Sequence, residues 1–201
     1  MTLGNETKKL FILGCGGHAS VVADVLNTMS LDFNGFIAQS IADKDLEKCK
    51  PDLLSEENFL KNYTAHTASL INGIGMLPKS TTRMSVFASF NQAGFSFEKV
   101  VHPKATISST AVIGAGAQVF AGCVIQPYAH IGDQTIINTA ATIDHASKIG
   151  PHSHIAPGVT ICGNVTIGEG CFIGAGATII NNVSVSSGAV VKAGVVVARD
   201  I

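Results

Sequence analysis

The seven histidines and five cysteines are the side chains of this 201-residue chain best suited to move a proton, attack a carbon or hold a metal. One histidine has a partner at a meaningful spacing. His145 and Gly163 stand three hexads apart, and in the repeat described below that interval stacks one directly over the other. A glycine over an imidazole leaves a backbone N–H beside a general base, so a proton acceptor adjoins an oxyanion donor. His154 falls half a coil away from His145, while His102, His130 and His152 have no such arrangement. A second signal is Gly14-Cys15-Gly16-Gly17-His18-Ala19. It fits G-x-G-x-x-A between an expected strand and an expected helix, where glycines let a backbone approach a phosphate at a helix N-terminus. The acid that would complete a dinucleotide site is missing, since Phe36-Ile37-Ala38-Gln39 closes the second strand. The turn therefore reads as phosphate recognition without a nicotinamide, or as a purely structural turn. Cys15, Cys49, Cys123, Cys162 and Cys171 include no CxxC pair, and no Cys/His cluster has ligand spacing. They read as reduced thiols in small core or turn positions, and no metal is expected.

These residues need elements to position them, and the two halves of the chain supply different ones. Residues 1–100 carry 19 charged side chains and eight glycines, against eight charged side chains and 13 glycines in residues 101–201. The change of architecture falls near Phe97–Pro103, giving expected domains 1–98 and 99–201. In the first, Lys9–Leu13 reads as a strand, Val21, Val22, Val25 and Leu26 mark a helix from His18 to Met29, and Phe33–Ile37 reads as a second strand. Ser55-Glu56-Glu57-Asn58 opens a short helix with a Ser cap and early acids. Ser69–Ile74 and Thr82–Ala93 read as a third strand and another helix. Strands alternating with helices imply a small parallel α/β sheet, Rossmann-like in type.

The second half is a repeat. Stepping by six from Val101 to Val197 meets 17 positions, every one Ile or Val. Four residues after each stands a compact side chain, among them Ala117, Cys123, Ala129, Thr135, Ala141, Ser147, Ser153 and Cys171. A large inward residue, a corner and a small inward residue make one flat side of a prism. Three such sides, one hexad each, close a coil, and about five coils stacked at strand spacing of ~4.8 Å rise ~25 Å. The pattern resembles the hexapeptide-repeat left-handed parallel β-helix, an exception to the right-handed crossover rule. Known solenoids of this kind are mostly acyltransferases, usually trimers with acyl-CoA between neighbouring prisms. That resemblance makes His145 the expected base.

Composition excludes other classes. With 46% apolar and 13% charged residues the chain is not disordered. A net charge of −1 without a basic block argues against nucleic acid as a partner. No apolar run reaches the ~18–20 residues of a membrane span, and no secretory signal is evident at Met1–Lys9, so a cytoplasmic protein without membrane attachment is expected. Phe120, Tyr128 and Phe172 would leave apolar groups on the outer faces of the prism, which favours a homotrimer.

The strand leading into Gly14-Cys15-Gly16-Gly17-His18-Ala19-Ser20-Val21-Val22-Ala23-Asp24-Val25 resembles the opening GxxGHxxVVxDV of the NeuD/PglD-like sugar acyltransferases. Ile143-Asp144-His145, Ser153-His154 and Cys162-Gly163-Asn164 are spaced as in that family, and the resemblance runs from Lys9 to about Ala198. It implies an enzyme that transfers acetyl from acetyl-CoA to the amino group of a nucleotide-linked sugar, typically a UDP-4-amino-4,6-dideoxy sugar of bacterial surface glycans. It further implies that Gly16, Gly17, His18 and Gly75 contact the nucleotide sugar and that His145 accepts the proton. By the same resemblance His154, Ala175 and Ala193 touch acetyl-CoA, and the Gly163 N–H holds the thioester carbonyl. Three departures are visible. Ala146 stands where the family has an acid, Ala38-Gln39 stands where many members carry acids, and the sequence ends at Ile201 without a G-x-P-A tail. O-acetylation of a sialic-acid-like sugar, or a binding or scaffold relative without activity, are the alternatives.

Overall fold

The computed structural model describes residues 8–39 and 52–201, which leaves Cys49 outside the described residues. It divides into two compact units. The first comprises the chain up to Gly75 together with Thr81–Glu98, and the second Met76–Ser80 with Lys99–Ile201.

In the first unit β1 (Lys9–Leu13), β2 (Gly35–Ile37), β3 (Asp52–Leu54) and β4 (Ala68–Asn72) form a parallel sheet in the order β3-β2-β1-β4. Phe97 adds a parallel bridge to Leu70 beyond β4. Parallel neighbours require crossovers. Helix α1 (Gly17–Thr28) connects β1 to β2, α2 (Glu56–Asn62) connects β3 to β4, and α3 (Thr82–Gln92) follows β4. Apolar residues at helical spacing, Ala19, Val22, Ala23, Val25 and Leu26, form the buried face of α1. Ser55 caps α2, its Oγ accepting the Asn58 N–H at 3.2 Å, with Glu56 and Glu57 in the favourable first turn. Aromatic rings fill the core: Phe59 lies 5.1 Å from Phe11 and 5.3 Å from Phe95, centroid to centroid. The sequence pattern does not reveal β3, a short edge strand with two exposed residues whose order comes from pairing with β2. Strand β4 stops at Asn72 rather than Ile74, and Gly73, next in the chain, packs too tightly to carry a side chain. A Cβ there would lie 2.5 Å from Ile12 Cγ2 and 2.7 Å from the Leu13 carbonyl oxygen.

The second unit is built almost entirely from two-residue strands, one per hexad, from β5 (Val100–Val101) to β21 (Val196–Val197). They stack into three parallel sheets: a first of β5-β8-β11-β14-β17-β20, a second of β6-β9-β12-β15-β18-β21, and a third of β7-β10-β13-β16-β19. Each pairs with its counterpart one coil away, as in Ile137↔Ile155, Ile143↔Ile161 and Ile149↔Ile167. The Ile and Val of successive coils form one continuous apolar column inside.

The compact inward positions do more than fill space. Thr135 Oγ1 donates to the Gly150 carbonyl at 2.8 Å, Ser147 Oγ to Cys162 at 2.8 Å, and Ser153 Oγ to Gly168 at 2.9 Å. Cys171 Sγ does the same to Ser186 at 3.1 Å, and each acceptor lies 15 residues ahead of its donor. These groups satisfy corner carbonyls that the strand ladder leaves inside the prism. Burial pushes the thiols of Cys123 and Cys171 above their ordinary value, so both are donors rather than nucleophiles. Phe120 differs from expectation: it is fully buried rather than exposed on an outer face. Gln118, just before it on the first sheet, is buried as well.

Ser153→Ala removes the donor to Gly168 and the acceptor of the Cys171 N–H at 3.1 Å. Leaving buried backbone groups unpaired costs about 1–3 kcal/mol. Urea unfolding should show that loss with an unchanged m-value.

Candidate active site

His145 occupies the corner between strand β12 (Thr142–Ile143) of the second sheet and β13 (Lys148–Ile149) of the third. On the same corner Pro127 lies one coil before it and Gly163 one coil after. The exposed imidazole lies against the Gly163 backbone, and a Cβ added at Gly163 would fall 2.6 Å from His145 Nε2 and 2.7 Å from Cε1. Only glycine leaves that space. The Gly163 N–H has no acceptor among the described residues, while its neighbours Cys162 and Asn164 donate to Ile179 and His145. The Asp144 carboxylate does not reach the imidazole. It accepts the backbone N–H of His145 itself at 2.7 Å, which fixes the turn.

His154 sits on the side of the coil opposite that corner, in strand β14 (His154–Ile155) of the first sheet. It is only 7% exposed. Its Nδ1 lies 3.3 Å from the Met76 carbonyl oxygen, which can only accept, so Nδ1 carries a hydrogen. Asn138 Oδ1 accepts the Thr139 N–H at 2.8 Å, so the Asn138 amide turns its Nδ2 to His154 Nε2 at 3.2 Å. The Phe172 ring meets the imidazole edge-to-face at 5.0 Å. Ala175 and Ala193 are exposed and share the corner between the first and second sheets, one coil apart. The prism thus brings His145 and Gly163 together and keeps His154, Ala175 and Ala193 away from them within one chain.

In the first unit Gly16 is the N-cap of α1 with φ −111°, and Gly17 is its first residue. A Cβ on either would meet nothing within 4 Å. Gly75 adjoins His18, whose Cβ would lie 3.3 Å from a Cβ at Gly75. In the sequence Arg83 reads only as a cation near this turn. The structure buries it, 4% exposed, with Nη1 donating to the Asn72 carbonyl at 2.8 Å and to that of Ile74. Burial lowers its pKa to about 9. Its work is to brace the turn after β4. Nearby, at the carboxyl ends of β1 and β2, a cavity of about 370 Å³ has apolar walls including Leu13, Ile37 and Phe90 and a polar rim of Gln39, Glu56 and Glu57. Ligand sites of open α/β sheets lie at this end of the strands. Among the described residues no group of three His, Cys, Asp or Glu could hold a metal. No helix among them is long and apolar enough to cross a membrane.

Residues 9–90 match the family model of the PglD N-terminal domain, and residues 146–181 match that of the bacterial transferase hexapeptide with six repeats. The chain is an acyltransferase with a PglD-type N-terminal domain and hexapeptide repeats. Its fold is accordingly a Rossmann-like domain followed by a left-handed parallel β-helix. Similar solved structures cover nearly all of this acyltransferase. The acetyltransferase domain of PglB from Neisseria gonorrhoeae FA1090, in complex with acetyl coenzyme A, matches with a TM-score of 0.85 at 29% identity, over 96% of this chain and 92% of that one. PerB from Caulobacter crescentus, in complex with CoA and GDP-perosamine, matches with a TM-score of 0.84 at 29% identity, over 97% and 91%. WeeI from Acinetobacter baumannii AYE, at 19% identity and a TM-score of 0.52 over 96% of each chain, shares the fold.

His154→Ala in this acyltransferase removes the hydrogen bond between His154 and the Met76 carbonyl, along with that to Asn138. The amides of residues 76–80 should exchange faster in hydrogen-exchange mass spectrometry, and stability should fall by about 1–3 kcal/mol.

Proposed function

We propose that the chain transfers the acetyl group of acetyl-CoA to the amino group of a nucleotide-linked deoxyamino sugar. The observation that carries this reading is the His145 imidazole lying against Gly163, whose N–H has no acceptor among the described residues. The amine nitrogen attacks the thioester carbon, the new C–N bond forms and His145 takes the amine proton. The Gly163 N–H bonds the developing oxyanion, which then collapses to expel the CoA thiolate, and the proton held by His145 passes to that thiolate. The ligands of two similar structures support both substrates, acetyl coenzyme A in PglB and CoA with GDP-perosamine in PerB.

Other roles follow from placement. Gly16 and Gly17 open α1 with uncrowded backbone, and with His18 and Gly75 they hold the diphosphate of the acceptor. UDP is the nucleotide that the family resemblance implies. His154, Ala175 and Ala193 line the acetyl-CoA path. Because His154 lies on the face of its own prism opposite His145, the proposal includes a homotrimer in which one copy's His145 meets the acetyl-CoA held by the next. A mass in solution equal to one chain would overturn that assembly.

Three measurements test the reaction. A panel of amino sugars, free and UDP-, GDP- or dTDP-linked, should show acetylation of a linked sugar far faster than of its free counterpart. Equal rates for both would remove the phosphate role of Gly16, Gly17 and His18. Mild base distinguishes the amide product from a sialic-acid-type ester. Second, His145→Ala should lower turnover by about 10²–10⁴-fold with an unchanged circular dichroism spectrum. Third, Gly163→Ala keeps the N–H and displaces the imidazole, so it should lose about as much while still binding acetyl-CoA by calorimetry. Failure of the wild-type chain to bind acetyl-CoA would favour an inactive scaffold.

A further inference from the structure

The second residue of the His145 corner is Tyr128, Ala146, Asn164 and Asn182 in successive coils, with φ of 64°, 57°, 58° and 63°. At the other two corners the equivalent position is mostly glycine, as at Gly122, Gly158, Gly170 and Gly176. A turn with positive φ at its third residue suits glycine or asparagine, and a bulky side chain there is an outlier. Tyr128 is the largest side chain the prism holds in that conformation, and it is 65% exposed. Its backbone is anchored, the N–H donating to Thr110 Oγ1 at 3.2 Å. The ring therefore gains little packing inside this chain to offset the unfavourable backbone. A strained, solvent-facing aromatic that the fold does not need points to something outside the chain.

Its position says what. The corner runs Pro127, His145, Gly163 in successive coils. In the proposed reaction, on which this inference rests, the thioester carbonyl lies on the Gly163 side of His145. The side of His145 toward the preceding coil is then open to the attacking amine, and Tyr128 stands beside Pro127 on that coil. We infer that Tyr128 is an acceptor-binding residue, its ring packing on the apolar face of the deoxy-sugar pyranose while the amine lies at His145. An aromatic face suits a ring that has lost a hydroxyl, since a deoxygenated carbon offers only C–H bonds.

The variants are Tyr128→Asn, which tolerates the left-handed backbone, and Tyr128→Phe, which keeps the ring. With the best acceptor of the panel, Tyr128→Asn should raise the acceptor KM by about tenfold and leave the acetyl-CoA KM within about twofold. Its thermal midpoint should equal or exceed that of the wild type, because asparagine relieves the backbone, and its mass in solution should not change. Tyr128→Phe should bring the acceptor KM back to within about threefold of the wild type. An unchanged acceptor KM in Tyr128→Asn, or a rise confined to acetyl-CoA, overturns the assignment. A lower midpoint or an altered mass also overturns it, by making Tyr128 a scaffold or copy-to-copy contact. A wild-type chain that acetylates no amino sugar overturns the functional reading together with this one, so the two failures are distinguishable.

Discussion

The second unit depends on one constraint, the backbone ladder that ties each coil to its neighbours. Thr142 N–H donates to Val159 at 2.8 Å, Thr160 to Ala177 at 2.9 Å and Thr178 to Val195 at 2.9 Å, each acceptor lying just short of a full coil ahead. Strands this short contribute too little pairing to be stable singly; their order comes from this stacking and from the Ile and Val column within. A slip of one residue would turn each Ile outward and each corner residue inward, so the register is strongly specified. The site inherits that register. His145 meets Gly163 because a full coil separates them along the chain, and a single insertion between them would part them.

This explains why so much of the second unit is legible in the sequence and less of the first. Where a fold is periodic, distance along the chain converts directly into position in space. The Ile and Val column, the inward slots of Cys123 and Cys171 and the stacking of Gly163 over His145 all follow from counting hexads and coils. The first unit has no such arithmetic. Strand β3 is ordered by β2 and by nothing in its own short stretch. Arg83 gives no local sign that it turns inward onto the carbonyls of Asn72 and Ile74. Met76–Ser80 lies in the first stretch of sequence yet groups with the prism, and its bond to His154 spans 78 residues. Phe120 escapes the counting for a related reason, since periodicity tells which side chains point outward and says nothing of what then covers them.

The imidazole is held differently from the arrangement in which a carboxylate orients a histidine. Asp144 is committed to the backbone N–H of His145, and Ala146 offers no acid. The ring lies in the space that a glycine leaves on the coil above. Ala146 itself adopts φ 57°, a conformation that aspartate and asparagine accept more readily than alanine. The alanine thus forgoes both a backbone preference and a possible charge partner. Placement by shape suffices for the proposed chemistry, because an imidazole needs only reach and orientation to take a proton from a nearby amine.

Glycines divide into kinds by what a methyl group would meet. At Gly73 it would strike Ile12 and Leu13, so the fold demands glycine whatever the chemistry. At Gly163 it would strike only the histidine proposed to carry the reaction, so the demand comes from the site. At Gly16 and Gly17 it would strike nothing, and Gly16 has an ordinary negative φ. The capping role suits glycine at Gly16, whereas at Gly17, the first helical position, alanine would serve an isolated helix better by roughly 0.5–1 kcal/mol. In the proposed reading, the bare backbone at Gly17 leaves room for a ligand approaching from outside the chain. The diphosphate of the proposed acceptor has the charge and reach that a helix N-terminus favours.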